Sequence, residues 1–330
     1  MYFSKKELKL SVGYRTHHSA IETPILFHMF WAPRVVLVVV LGVSCTAQTR
    51  TSITPRPRPE AKTVRPATFR LDARMVQIPV TVTDSRDRPQ LDLEAGQFHI
   101  FEDGVEQQIA AFSMADAPIS TGVVFDTSGS MKGRMDDSRA ALEHLFQTAA
   151  PQDEFSLVRF SDRPELVASL THDPATVSRL LGRVIPHGWT ALYDAIFYSV
   201  QELRHASNPR RALLVLSDGE DNNSRYSESE AVALVREADI RVYAVGIFRQ
   251  TRCLAKMAAE TGGRVIWVHK LSDMPEAIER LTLEMRNVYM VSYFSSNPPS
   301  DGKYRKVKVE VQARSEEPFH VTWRHGYYAP

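Results

Sequence analysis

The sequence predicts an α/β protein with a doubly wound, mostly parallel sheet flanked by helices. It also predicts a small β-sandwich formed by N- and C-terminal flanking strands. Three observations carry this. From Ile119 onward, short apolar runs alternate with segments of helical apolar spacing, the rhythm of strands joined by helical crossovers. Before Phe112 and after Arg286 the rhythm is that of strands separated by turn residues. Neither outer block is large enough to bury a core by itself. The two are therefore expected to pair, with the α/β unit inserted between them.

The first β block runs from Met75 to Phe112. Val76, Ile78, Val80 and Val82 alternate with other positions, as one buried strand face requires. Asp84 to Pro89 is a turn cluster. Phe98 to Glu102 runs into Asp103-Gly104, a hairpin-turn signal, and Gln107 to Phe112 is expected to answer it. In the α/β part the expected strands are Ile119 to Phe125, Glu154 to Phe160, Leu166 to Ser169, Ala212 to Leu216, Arg241 to Phe248 and Arg264 to Val268. Met135, Leu142, Leu145, Phe146 and Ala149 fall on one face of the first helix. Leu192, Ile196, Val200 and Leu203 do so on the third. Asp173-Pro174 caps a helix with proline at its first position. Ser227 with Glu230 makes a capping box, and Gly262-Gly263 ends the helix that carries Cys253 and Met257. After a last helix at Met274 to Arg286, strands are expected at Tyr289 to Phe294, Tyr304 to Val311 and Phe319 to Arg324.

Five divisions follow: a signal region over 1–47, a Pro/Arg-rich linker over 48–70, the N-terminal half of a β domain over 71–115, the α/β domain over 116–287, and the C-terminal half of the β domain over 288–330. The signal region rests on Arg34, the aliphatic run Val35 to Val43, and the small residues Ser44, Cys45, Thr46 and Ala47. That order is a positive flank, a short apolar core and a cleavage site. The run is shorter than the roughly 20 residues of a membrane span. Met29 makes a better start for such a signal than Met1. A retained N-terminal anchor and a buried strand are the alternatives. Lipidation of Cys45 is disfavoured because Gly42-Val43-Ser44 lacks a large aliphatic residue. Cleavage after Ala47 would leave only Cys253, and an exported chain without disulfides is ordinary in bacteria. The expectation is therefore export to the periplasm or medium of a bacterium, with membrane contact only through the signal or anchor segment. A formal net charge of +1 over 330 residues offers no basic footprint for nucleic acid.

The chemistry lies at the ends of the strands. In an open parallel sheet, ligands bind beyond the carboxyl edge. Asp126 stands at such an end, followed by Ser128 and Ser130. Asp218 follows the apolar run Ala212 to Leu216 and Ser217, and Thr190 opens the third helix after a loop containing Gly188. All five supply oxygen and none supplies sulfur or nitrogen, a set that selects for Mg²⁺ or Mn²⁺ over zinc or copper.

The runs Phe125-Asp126-Thr127-Ser128-Gly129-Ser130, Trp189-Thr190-Ala191-Leu192-Tyr193-Asp194-Ala195 and Leu216-Ser217-Asp218-Gly219 resemble the metal-ion-dependent adhesion site of von Willebrand factor A domains. The likeness covers about Ala117 to Arg286 and implies a Rossmann-like fold. The flanks, with Val80 to Asp84, Phe98 to Gly104 and Gly326 to Pro330, resemble the related family described from acidobacteria. The resemblance implies that Ser128 and Ser130 bind metal through their hydroxyls. Thr190 would bind directly or through water, and Asp126 and Asp218 would bind directly or across water. An open metal position would then accept an Asp or Glu carboxylate from a protein partner. The expected function is binding rather than turnover. A haloacid dehalogenase-type phosphatase would need an acid where Ser128 stands, and Gly129 to Gly133 lacks the ending of a phosphate-binding loop. An envelope scaffold with a vestigial metal site is the alternative.

Glu220 to Ser224 reads as a polar rim, His187 and Trp189 as packing or exposed loop residues, Cys253 as buried, and Asp194 as a member of a loop hydrogen-bond network. Sequencing the N-terminus of envelope material should give a start near Gln48. A start at Met1 would overturn the cleaved-signal expectation.

Overall fold

The computed structural model describes residues 75–329, apart from 116, 183, 298–300 and 313–318. The signal region and linker expected over 1–70 lie outside the described residues. Strands β1 (Met75–Thr83), β2 (Phe98–Glu102), β3 (Val105–Gln107) and β4 (Ile109–Ala115) come first. β5 (Ile119–Asp126) follows, then α1 (Met135–Gln147), β6 (Glu154–Phe160), β7 (Pro164–Thr171), α2 (Pro174–Leu181) and α3 (Leu192–Leu203). Next come β8 (Arg210–Ser217), α4 (Glu228–Glu237), β9 (Arg241–Ile247), α5 (Arg252–Thr261), β10 (Val265–Val268) and α6 (Met274–Arg286). The chain closes with β11 (Val288–Phe294), β12 (Tyr304–Val311), β13 (His320–Trp323) and β14 (Gly326–Tyr328).

The central sheet has six strands in the order β10-β9-β8-β5-β6-β7. All its pairings are parallel except β6 with β7, which forms a hairpin at the edge. β5 is buried at every position, as a strand covered on both faces must be. Its side chains alternate between two cores. Val123 and Phe125 join α1, α2 and α6 through Leu142, Val177 and Ile278. Val124 joins α3, α4 and α5 through Ile196, Val235 and Leu254. The expected helical faces pack as their spacing demands, although Ala149 lies just beyond the end of α1. The local signals also explain the helix ends. Asp173 accepts hydrogen bonds from the backbone N–H groups of Ala175 and Thr176, and Ser227 and Glu230 form the reciprocal cap of α4. Gly262 ends α5 in the left-handed region at φ 72°.

Strands from both sides of this unit share two four-stranded sheets, β13-β1-β11-β4 and β14-β12-β2-β3. β1 pairs antiparallel with β11 and with β13, and β12 pairs with β2. A third apolar cluster draws on both sheets: Ile78 and Val80 of β1, Val291 and Tyr293 of β11, Ile100 of β2, and Val309 of β12. The Asp103-Gly104 turn has φ values of 49° and 86°, the double positive pair that a tight hairpin needs.

One expected strand is corrected. Gln107 to Phe112 does not answer β2 as a unit. β3 ends at Gln107, and β4 then pairs with β11 in the other sheet. The Gln107 side chain is used at that crossing, donating to Ser296 Oγ at 2.9 Å and accepting from the Ser296 backbone at 3.1 Å. β14 was also not expected.

Glu102 is a buried acid of these outer sheets. Its carboxylate accepts from Tyr293 Oη at 2.7 Å, Tyr327 Oη at 2.8 Å, Asn297 Nδ2 at 2.7 Å and the Ser295 hydroxyl. Burial works against its charge, but these bonds outweigh burial and hold the carboxyl below its ordinary value of 4.5. Because the folded-state pKa is lowered, the stabilisation is present above pH 4.5 and is lost as pH falls through the folded value. Glu102→Gln should therefore cost about 1–3 kcal/mol at neutral pH. In urea titrations the gap to wild type should narrow as the pH falls from 4.5 through the folded value, and a gap independent of pH would refute the assignment.

Candidate metal centre

β5 runs to β6 on one side of the sheet, while β8, β9 and β10 spread to the other. The chain order therefore reverses between β5 and β8, and an open α/β sheet has its ligand crevice at such a point. Asp126 ends β5 there, and Asp218 directly follows β8. Asp126 is 0% exposed, Ser128 1%, Thr190 4% and Asp218 2%, whereas Ser130 is exposed. The cluster is thus a buried carboxylate floor that opens to solvent at Ser130.

Two sets of hydrogen bonds hold it. Asp126 accepts from the Ser128 backbone N–H at 2.8 Å and from Ser217 Oγ at 2.6 Å. Ser128 Oγ lies 3.0 Å from Ser130 Oγ, which donates to Asp218 Oδ1 at 2.7 Å. The Arg134 guanidinium pairs with the other oxygen of Asp218. Burial pushes the Asp126 carboxyl up, and the bonds from Ser217 and Ser128 and the charge of Arg134 offset only part of that.

Thr190 reaches this edge through its backbone. The loop before it is tied to the first serine loop by His187 N–H donating to Thr127 O at 3.1 Å and Gly129 N–H donating to Gly188 O at 3.1 Å. Gly188 has φ 74°, and a Cβ there would stand 2.5 Å from an Asp162 carboxylate oxygen. That carboxylate is needed in place, because it accepts from the Trp189 N–H at 2.7 Å. Thr190 N–H donates to Asn222 Oδ1 at 2.8 Å, and Thr190 O accepts from Asn222 N–H at 3.0 Å. Its hydroxyl oxygen is 3.9 Å from where a Cβ on Gly219 would lie, beside Asp218.

The neighbours divide by role. Asn222 positions Thr190, so part of the polar stretch Glu220 to Ser224 supports the site rather than forming only a rim. Asp194 accepts from the Arg225 and Tyr226 backbones at 2.9 and 3.2 Å, which makes it a loop anchor. Trp189 is 64% exposed at the mouth. Cys253 is buried, and burial pushes its thiol up to about 12. Sequence reasoning did not single out Ser217, Asp162 or Arg134. Ser217 could have been found from its place between a buried strand and an acid. The other two act across long sequence separations.

The donor set fits a small hard cation. Among the described residues, no three of His, Cys, Asp and Glu gather as a metal-binding group, and this cluster depends on hydroxyls instead. An octahedral ion with 2.0–2.1 Å bonds has an oxygen–oxygen edge of about 2.9 Å. The Ser128–Ser130 and Ser130–Asp218 separations of 3.0 and 2.7 Å are hydrogen-bond lengths that also lie close to that edge.

Residues 121–220 match the family model of the von Willebrand factor type A domain. That match supports a von Willebrand factor type A domain over these residues. Such domains are generally protein-interaction modules and often bind a divalent metal at an adhesion site. The chain is 26% identical over 224 residues to inter-alpha-trypsin inhibitor heavy chain H4 of Bos taurus, covering 62% of this chain and 24% of that protein. It is 26% identical over 188 residues to the Homo sapiens protein of the same name, covering 52% and 20%. The chain thus spans about a quarter of the length of these relatives. Among solved structures, a von Willebrand factor type A protein from Catenulispora acidiphila aligns with a TM-score of 0.49 at 12% identity, covering 79% of this chain and 74% of that one. Proximal thread matrix protein 1 of the mussel byssus, with a zinc-occupied adhesion motif, aligns at 0.48 and 17%, covering 56% and 49%.

Ser217→Ala removes the hydroxyl that holds Asp126 from below. It should lower stability by about 1–3 kcal/mol in chemical denaturation, since a buried carboxylate is left short of a donor. Stability equal to wild type would show that Ser217 does not hold Asp126.

Proposed function

We propose that this chain is an exported, metal-dependent protein-binding module. Asp126, Ser128, Ser130, Thr190 and Asp218 would hold Mg²⁺ or Mn²⁺, and the bound ion would supply a Lewis-acidic position for an Asp or Glu carboxylate of a protein partner. The observation that carries this reading is the meeting of oxygen donors from three remote segments at the switch point of the sheet. Their spacing suits a hard ion, and a buried carboxylate lies beneath them. The chain's own residues have separate tasks. Asp126 and Asp218 provide charge, Ser128 and Ser130 provide neutral oxygens, Asn222 and Asp162 position the Thr190 loop, and Ser217 orients Asp126. With at least one of the two carboxylates acting across water and the hydroxyls neutral, the ion would keep positive character, which favours an acidic group on the partner.

The proposed organisation places the α/β domain at 116–287, inserted between halves of one β-sandwich at 71–115 and 288–330. Support comes from the mixed origin of both outer sheets and from the apolar cluster they share. Export rests on the Arg34 to Ala47 pattern. Among the described residues, no helix is long and apolar enough to cross a membrane. One observation favours a second reading, a scaffold with a metal-free site: the Arg134–Asp218 ion pair already places a positive charge on one of the acids.

Mg²⁺ or Mn²⁺ should raise the melting temperature of the wild type, and Asp126→Ala should abolish the rise. A pull-down from envelope extract should recover a partner that is lost with EDTA and with Asp126→Ala. Equal melting with and without EDTA would count against metal binding and leave the scaffold reading.

A further inference from the structure

The site faces a cation that belongs to the chain itself. Arg134 precedes α1, and its guanidinium pairs with the Asp218 oxygen that Ser130 does not use. The guanidinium carbon also lies 4.7 Å from the centroid of the Phe248 ring. Phe248 follows β9, has φ 64° and is 40% exposed. The Arg134 side chain is 28% exposed and that of Asp218 is 0% exposed. The arginine therefore covers a buried acid from the solvent side and is held by charge on one side and an aromatic face on the other. Its charge is also felt at Asp126.

We infer that Arg134 is a tethered competitor of the metal and sets the affinity of this site. The inference rests on the metal-site reading above. Two positive charges cannot share Asp218 at close range without mutual repulsion, and that repulsion is strong where water is excluded. A divalent ion must therefore displace the guanidinium or bind beside it at a disadvantage. In the absence of metal, the same arginine satisfies a buried carboxylate that would otherwise be costly. The metal-free fold is thereby stabilised and the metal-bound fold disfavoured, so the site fills only at higher metal activity than its oxygen donors alone would require. The exposed Phe248 ring gives a displaced guanidinium a surface on which to remain.

The test is isothermal titration of the full chain with Mg²⁺ alone, and separately with Mn²⁺. It compares wild type, Arg134→Gln, Arg134→Lys and Asp126→Ala, with thermal melting in EDTA alongside. Arg134→Gln should bind Mg²⁺ on the order of tenfold more tightly, because a partly buried like charge has been removed from the site. It should also melt lower than wild type in EDTA. Arg134→Lys keeps the charge and should stay near the wild-type affinity. Arg134→Met keeps apolar contact with Phe248 and replaces the Gln variant if that one does not fold. Equal or weaker Mg²⁺ binding by the folded neutral variant overturns the inference while leaving the metal site intact. Binding that survives in Asp126→Ala, or is absent from wild type and neutral variants alike, overturns the metal-site reading and the inference with it.

Discussion

A carboxylate at the end of a strand buried throughout is the constraint on which this architecture turns. β5 is covered on both faces, so Asp126 cannot reach bulk water by a small movement. The charge has to be met locally, by the Ser128 backbone, by Ser217 and by positive charge nearby. That need orders the surrounding loops. The first serine loop folds back over its own aspartate. The Gly188 loop is laced to it by backbone bonds, and the loop after β8 carries Asn222 into the Thr190 backbone. An apolar residue at 126 would remove the reason for each of these arrangements, while the sheet beneath retained its two cores.

Polar order at this edge is matched by a second buried charge far from it. Glu102 gathers four side-chain donors from two segments of the outer sheets, β11 with the loop after it and β14. Both acids bring remote parts of the chain together, but they differ in how fully hydrogen bonds meet them. Those at Glu102 outweigh its burial and its carboxyl lies low. Those at Asp126 do not, and its carboxyl lies high. The first is a completed structural network. At the second, hydrogen bonds and the nearby arginine offset only part of the cost of burial.

The α/β part was legible because its signals are local. Continuous apolar runs such as Val123 to Phe125, helical spacing, and caps at Asp173 and Ser227 each state one element within a few residues. The five oxygen donors were legible for a related reason, since each stands at the end of a readable element. Arg134 was not legible: its partner Asp218 is 84 positions away, and an arginine before a helix reads locally as a solvated charge. The crossing from β3 to β4 was hidden as well. A single residue separates the two strands, and the apolar pattern runs on through Ile109 and Phe112 while the hydrogen-bonding partner changes. β14 is too short to carry a period.

The pairing of β1 with β11 has a mechanical consequence. The α/β domain is entered from β4 and left into β11, which are neighbours, with Ala115 opposite Val288. β11 then runs away from that domain, and β1 runs toward it, from Met75 opposite Phe294 to Val80 opposite Tyr289. Tension between the sheet edge at Asp126 and the chain before Met75 would pull these two strands lengthwise past each other. Their hydrogen bonds would be loaded together in shear rather than opened one after another, which is the stronger way for a short ladder to carry force.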